Sequence, residues 1–297
     1  RKLLRKVKQT LRHKVPTSQK CCVHIFYVKC SDVTMDDVLL ELFIRGAAGG
    51  VSKTQLLRSF KDEHGCSEED LDFLIESAFF KEKPRKINFK EIYERPLEER
   101  ATRIWFPFTQ LYYKDNFISE EECTELIEFI EKGLRPSTVA NETDDGEVSD
   151  YRTSSTTDLD PFANDLSLRL DQKITAFMDL DPFTGETLQA QKYLPTQYYK
   201  EHVDFFTPFT EEHKVYCEWM GQRTWTVMIY LNDVASGGET YFKHLNKYFK
   251  PKQGTLLCWN NLYKSGIPNY KTMHEALPPV SGNKYVITKW FRSWSLI

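Results

Sequence analysis

No run in this 297-residue chain is long and apolar enough to read as a membrane span, and no signal peptide is legible at its start. It opens on Arg1 rather than methionine, so a trimmed or processed form is expected, which leaves the compartment and any upstream signal or anchor open. Charge of one sign is also missing: 40 Lys and Arg against 43 Asp and Glu leave a net charge of -3, which argues against strong nonspecific nucleic-acid binding by the whole chain. The seven cysteines (Cys21, Cys22, Cys30, Cys66, Cys123, Cys217 and Cys258) are odd in number and lack Cys-x-x-Cys spacing. They offer neither a disulfide framework nor a zinc signature, although one bridge is compatible with the set. What the chain does have is 40% hydrophobic and 14% aromatic content, enough for one large core and a smaller one.

The most informative residues are His202 and Asp204, then His274, then Lys284 ten positions later. Side chains alternate across a strand, so His202 and Asp204 at i and i+2 point the same way and can bind one ion together. His274 must then come from a distant strand folded back beside the first. Two imidazoles and one carboxylate occupy one face of an octahedral metal and leave three positions free, the ligand set of non-haem Fe(II) oxygenases. Lys284 begins a run to Trp290 in which Lys284, Val286, Thr288 and Trp290 share one face if the run is a strand. That pattern suits a charge reaching into a lined pocket; an edge strand with a snorkelling lysine is the bland alternative.

From about Asn116 to Trp294 the chain resembles the catalytic domain of the 2-oxoglutarate- and Fe(II)-dependent prolyl 4-hydroxylase family. The resemblance rests on motifs in the family's order: Asn116-Phe117-Ile118-Ser119-Glu120-Glu121-Glu122-Cys123, Arg152-Thr153-Ser154-Ser155, Leu188 to Tyr193, and Tyr199 to Asp204. It continues through Tyr230-Leu231-Asn232-Asp233-Val234, Gly237 to Phe242, Pro251-Lys252-Gln253-Gly254, His274 to Pro278 and Gly282-Asn283-Lys284.

The resemblance implies that His202, Asp204 and His274 hold Fe(II), and that Lys284 pairs with the distal carboxylate of 2-oxoglutarate, joined by the Tyr193 hydroxyl. Thr226 matches a small polar position near that cofactor; Arg152, Tyr199 and Trp290 match positions lining a substrate groove. The implied reaction consumes O2 and 2-oxoglutarate and releases succinate and CO2, with ascorbate as reductant. Asp204 favours hydroxylation, because related halogenases lack this carboxylate. Lys284 places the chain with collagen-type, plant, bacterial and viral members, since the oxygen-sensing ones use arginine there. The implied partner is a proline-containing protein or peptide, whose polyproline II form suits an aromatic groove. Hydroxylation of another side chain or a small molecule stays open as an alternative. So does a non-catalytic peptide-binding or scaffold protein with a metal-bound barrel.

The expected fold is α+β: a double-stranded β-helix, or jelly roll, with supporting helices over residues 97–297. Strands are expected at Leu188 to Tyr193, Thr224 to Leu231, Thr255 to Trp259 and Lys284 to Trp290. Ser119 and Glu122 form a capping box ahead of Cys123, Leu126, Ile127 and Ile130, with Gly133 ending the run. Leu166, Leu170, Ile174 and Phe177 mark a second helix. Asn141 to Glu147 reads as a loop leading into the Arg152 turn, either a lid or plain disorder.

Residues 35–96 form a helical domain that resembles a pair of EF-hands in outline. If Val51 and Ile87 are the eighth loop positions, the first, third and fifth hold Ile44, Gly46 and Ala48, then Phe80, Glu82 and Pro84. Calcium needs several oxygen ligands, so no calcium binding is expected and the domain reads as a protein-docking module. Residues 1–34 are a basic tail, with eight Lys or Arg in the first 20 and Leu3, Leu4, Val7 and Leu11 interleaved. Such a tail could sit near an acidic membrane surface or remain solvated.

Overall fold

The computed structural model describes residues 53–71, 97–139, 150–160, 164–181, 184–217 and 220–293. Two compact units emerge, Arg1–Pro84 with Leu296–Ile297, and Arg85–Ser295. In the first, helix α1 spans Lys53–His64. A further helical turn starts after Ser67, whose Oγ accepts from the Asp70 amide at 3.1 Å while Asp70 Oδ2 accepts from the Ser67 amide at 2.8 Å. Both expected EF-hand-like loops (44–52 and 80–91), the basic tail (1–34) and the acidic 141–147 connection lie outside the described residues. No helix among the described residues is long and apolar enough to cross a membrane.

The second unit runs, in chain order, β1 (Thr102–Phe106), β2 (Thr109–Lys114), α2 (Glu120–Ile130), β3 (Arg135–Pro136), β4 (Ser155–Leu159), α3 (Asp165–Met178) and β5 (Leu188–Tyr193). It continues with β6 (Tyr199–His202), α4 (Glu211–Cys217), β7 (Arg223–Tyr230), β8 (Ser236–Gly237), β9 (Thr240–Phe242) and β10 (Lys247–Phe249). The last strands are β11 (Leu256–Asn260), β12 (His274–Ala276), β13 (Pro279–Ser281) and β14 (Lys284–Arg292). One sheet has the order β1-β2-β11-β7-β14-β5-β4-β3, a smaller one β10-β9-β12-β6, and β13 pairs with β8. Neighbouring strands pair antiparallel throughout. This mostly antiparallel arrangement with few helices is consistent with a jelly-roll core.

Strict alternation along the central strands sorts side chains between two cores. Trp225, Val227, Ile229 and Leu231 of the β7 segment join Tyr285, Ile287 and Phe291 of β14 on the face that packs against α2 and α3. Their neighbours Met228, Tyr230 and Val286 turn the other way and meet Phe242, Leu245 and Trp259 between the two sheets. Because both faces of the large sheet are covered, β7 and β14 carry near-continuous buried runs.

The α2 capping box forms as expected, with Ser119 Oγ accepting from the Glu122 amide at 3.1 Å and Glu122 Oε2 from the Ser119 amide at 2.8 Å. The same Glu122 takes the Lys173 ammonium at 3.0 Å, tying α2 to α3. In α3 the fully buried stripe is Ser167, Leu170, Ile174, Thr175 and Met178; Leu166 and Phe177 sit at its margins, partly buried. Gly254 has φ +71, and a Cβ there would lie 2.4 Å from the Ile118 carbonyl. Its own carbonyl accepts from the Phe117 and Ile118 amides, so the approach to α2 is laced directly to the β11 side of the sheet.

Several expectations are adjusted. β7 and β11 are each displaced by one residue, and β14 runs on to Arg292. The short strands β1, β2, β4, β9 and β10 and helix α4 carried no pattern strong enough to be read in advance. Cys66, Cys123, Cys217 and Cys258 are all free and buried, so no bridge joins any two of them.

Lys289, on the helix-packed face, is buried with its ammonium on Asp171 of α3 and 3.0 Å from the Glu186 carbonyl. Asp171→Ala should cost about 3 kcal/mol in chemical unfolding by stranding that charge, and Lys289→Met added to it should recover much of the loss.

Candidate metal centre

His202 ends β6 and His274 begins β12, and the two strands pair so that these residues stand directly opposite, with ring centroids 4.3 Å apart. Asp204 lies beyond the end of β6, in a bend rather than in a strand. The convergence expected from alternation is nevertheless reached: His202 Nε2 is 3.8 Å from Asp204 Oδ1, and His274 Nε2 is 3.9 Å from Oδ2. Donor atoms of all three lie within 4.8 Å of one another, and no other such group of three occurs among the described residues.

Both imidazoles are oriented by backbone. His202 Nδ1 is 2.8 Å from the Lys200 carbonyl and His274 Nδ1 2.9 Å from the Thr272 carbonyl. A carbonyl can only accept, so each Nδ1 carries the hydrogen and each Nε2 presents a lone pair to the cluster. Burial and the neighbouring His274 push His202 down to about 3, so it is neutral near pH 7. Burial works to raise the Asp204 carboxyl, but His274, His202 and the Thr226 hydroxyl outweigh it and hold the group ionised. A buried carboxylate with two imidazoles whose Nε2 atoms face it is a donor set that fits a divalent transition metal.

Behind the cluster, Thr226 Oγ1 donates to Asp204 Oδ2 at 2.7 Å and accepts from Asn261 Nδ2 at 2.8 Å. The contact of Thr226 is thus with the carboxylate of Asp204. Phe242 stacks on His274 at 5.2 Å and 24°, and Trp259 meets the same ring edge-on at 4.8 Å. Tyr199 lies parallel to His202 at 3.6 Å and 15°, with the Arg152 guanidinium 5.0 Å from the Tyr199 ring centroid. Arg152 is buried and donates to Gln189 Oε1 at 2.8 Å and the Thr138 carbonyl at 3.3 Å.

Lys284 opens β14 directly opposite Tyr193 of β5. It is 1% exposed, with Nζ 5.2 Å from the Tyr193 ring and 5.7 Å from the Tyr230 ring, and no described residue gives it a hydrogen bond or ion pair. Burial pulls its ammonium down to about 7, against the opposing pull of Glu239. Such a group is a preformed receptor for an anion. The Tyr193 hydroxyl is turned toward Ser154 and Arg152. Trp290, further along β14, stands beside Thr226 of β7 and is stacked by the Arg223 guanidinium at 4.0 Å.

Comparison with known proteins follows the same residues. The family model described as the 2OG-Fe(II) oxygenase superfamily matches residues 188–292, a span that holds His202, Asp204, His274 and Lys284. A putative prolyl 4-hydroxylase of Acanthamoeba polyphaga mimivirus is 30% identical over 187 residues, covering 63% of this chain and 75% of that relative. The chain belongs to the 2-oxoglutarate- and Fe(II)-dependent prolyl 4-hydroxylase family. Among other members, the human prolyl 4-hydroxylase subunit alpha-1 is 34% identical over 177 residues, 59% of this chain. The match spans 33% of that subunit's length. A solved viral collagen prolyl hydroxylase from Paramecium Bursaria Chlorella virus-1, in a 2OG complex, is 28% identical with a TM-score of 0.50, covering 61% of this chain and 95% of that one.

Some residues around this family site were not anticipated. Asn261 continues the alternation of Leu257 and Trp259 two residues on, a signal lost because the expected strand stopped at Trp259. Arg223 donates through Nε and Nη2 to the two carboxylate oxygens of buried Glu186, each at 2.7 Å, a pairing between distant segments that no local pattern encodes. Thr226→Val should leave the fold intact and weaken Co(II) binding about 10- to 100-fold in a spectroscopic titration, because it frees the carboxylate that the hydroxyl orients.

Proposed function

We propose that this chain is an Fe(II)- and 2-oxoglutarate-dependent dioxygenase that hydroxylates prolyl residues in a protein or peptide, releasing succinate and CO2. The observation that carries the reading is the buried His202, Asp204 and His274 cluster with both Nε2 atoms turned inward. The unpartnered ammonium of Lys284 on the same strand system supports it. The prolyl 4-hydroxylase names of its relatives support the choice of substrate class.

In this reading His202, Asp204 and His274 hold Fe(II). Once bound, the metal and its keto acid supply the oxidising power that couples O2 to carbon hydroxylation, and ascorbate serves as reductant. Thr226 and Asn261 fix the rotamer of Asp204, the carbonyls of Lys200 and Thr272 fix the imidazole tautomers, and Phe242 and Trp259 keep water from the His274 side. Lys284 binds the distal carboxylate of 2-oxoglutarate with Tyr193 beside it, and Thr226 borders that cofactor site. Arg152, Tyr199 and Trp290 line the entry of an extended proline-containing segment. The sandwich is a double-stranded β-helix over 97–297, and the preceding 35–96 region is a docking module rather than a calcium sensor.

Under anaerobic conditions Fe(II) plus 2-oxoglutarate should produce a visible charge-transfer band. In air, proline-rich or collagen-like peptides should gain one oxygen by mass spectrometry, with succinate formed alongside. His202→Ala should abolish both signals; undiminished succinate from that variant would sink the ligand assignment.

The Lys284 ammonium yields a pH dependence. Its pKa in the ligand-free protein is lowered to about 7, and a bound dianion raises it, so binding takes up a proton above that value. Affinity for 2-oxoglutarate should be level below about pH 7 and then fall by up to about tenfold per unit as pH rises, until the pKa of the complex is reached. Calorimetric titration of the Mn(II)-loaded protein checks this, and Lys284→Met should remove the slope along with most of the affinity.

A further inference from the structure

The turn between β1 and β2 holds Phe108 in the left-handed region, at φ 62, with 69% of the residue exposed. A bulky side chain is costly in that conformation, so the surrounding structure has to hold it there. Asn269, only 1% exposed, does so from another loop: its Nδ2 donates to the Phe108 carbonyl at 2.9 Å, and its Oδ1 accepts from the Lys271 amide at 3.1 Å. One side chain thus clamps the hairpin to the short helical turn Tyr270–Thr272. The Lys271 ammonium lies 5.1 Å from the Phe108 ring and 5.8 Å from the Phe106 ring, and Tyr270 beside it is 47% exposed. The result is an exposed aromatic platform carrying one cation.

Strand register puts this platform beyond the metal cluster, at the end of the large sheet away from Lys284. Leu111 of β2, Trp259 of β11, Thr226 of β7 and Trp290 of β14 stand in one row across the sheet, and Thr226 holds Asp204. From that row β14 runs back to Lys284, whereas β2 runs the other way to the Phe108 turn. Two strand spacings and three residues separate Phe108 from Thr226, about 10 Å in each direction and about 14 Å in all. The surface between them is aromatic as well. Tyr270 meets Phe205 edge-on at 4.9 Å, and Phe205 directly follows Asp204.

We propose that Phe108 and Tyr270 form a distal subsite for the flanking residues of an extended proline-rich substrate whose reacting residue lies at the His202, Asp204 and His274 cluster. This inference rests on the dioxygenase reading. The occupant follows from chemistry and continuity: a polyproline II segment is ordered before it binds and docks on aromatic surfaces, and Tyr270 with Phe205 joins the platform to the cluster. Its carbonyls make no internal hydrogen bonds, so they are free to accept from Lys271. At about 3.1 Å per residue such a segment covers about 14 Å in about five residues. Shorter peptides reach the metal cluster without touching the platform.

The test assays the full chain with Fe(II), 2-oxoglutarate and O2 on proline-rich peptides of three and of twelve residues, and measures calorimetric binding of both to the protein loaded with Mn(II) and 2-oxoglutarate. The longer peptide should have the lower KM. Phe108→Asn removes the ring and supplies a residue that tolerates the left-handed region; Tyr270→Leu removes the second ring and keeps apolar contact with Phe205. Each should raise KM and Kd for the twelve-residue peptide about three- to tenfold, the worth of one aromatic contact, with kcat and the three-residue peptide unaffected. Thermal unfolding checks the fold of each variant, and Phe108→Asn carries the test alone if Tyr270→Leu is unstable. Equal losses on both peptides, or none on the longer one, overturn the inference and leave the dioxygenase reading intact. Self-association of the unaltered protein that Phe108→Asn abolishes also overturns it, by giving the platform to a second copy of the chain. If neither peptide gains oxygen but the longer one binds in a Phe108-dependent way, the dioxygenase reading falls and the peptide subsite stands; if neither peptide binds, both fall.

Discussion

Antiparallel pairing sets side chains of opposed residues within reach of one ion, and the pairing of β12 with β6 does this for His274 and His202. Everything chemical in the molecule depends on that register. A slip of one residue would turn one imidazole to the opposite face of the small sheet, and the remaining pair with Asp204 would no longer form a three-donor set. The register is held from outside the site as well, because β9 pairs with β12 across His274, Glu275 and Ala276. The imidazole rings are then fixed by stacking, Tyr199 on His202 and Phe242 on His274, so the positions of both are determined by packing before any metal arrives.

The large sheet supplies the counterpart. β7 and β14 run through the middle with both faces buried, and their alternation gives one face to α2 and α3 and the other to the site. Thr226, Tyr230, Lys284 and Trp290 thus come to the inner side by period alone, while Val227, Ile229, Ile287 and Phe291 anchor them from behind. A buried, unpaired lysine is costly for a folded chain, and burial lowers its proton affinity accordingly. Such a cost is tolerated where an anionic ligand relieves it.

Much of this was legible in the residues. The spacing of His202, Asp204 and His274 pointed to side chains that do converge, the period-2 runs located the long strands to within a residue or two, and Ser119 with Glu122 announced the start of α2. Short strands such as β9 and β10 were not legible, because three residues do not establish a period. Asp204 shows a subtler limit: its partnership with His202 was read from strand alternation, yet the strand ends at His202 and a bend delivers the carboxylate instead. The outcome agreed although the local geometry did not.

What the sequence by itself determined is the chemistry available: three side chains with donor atoms suited to a metal, one ammonium at a fixed spacing, and the alternation that buries them. Only the tertiary structure decided which groups meet, because contacts such as Thr226 with Asp204, Asn261 with Thr226, Arg223 with Glu186 and Tyr230 with Thr240 join segments that no local period relates. Their partners are chosen by strand order and sheet packing, and those follow from how the whole chain covers its two apolar cores rather than from any stretch of it read alone.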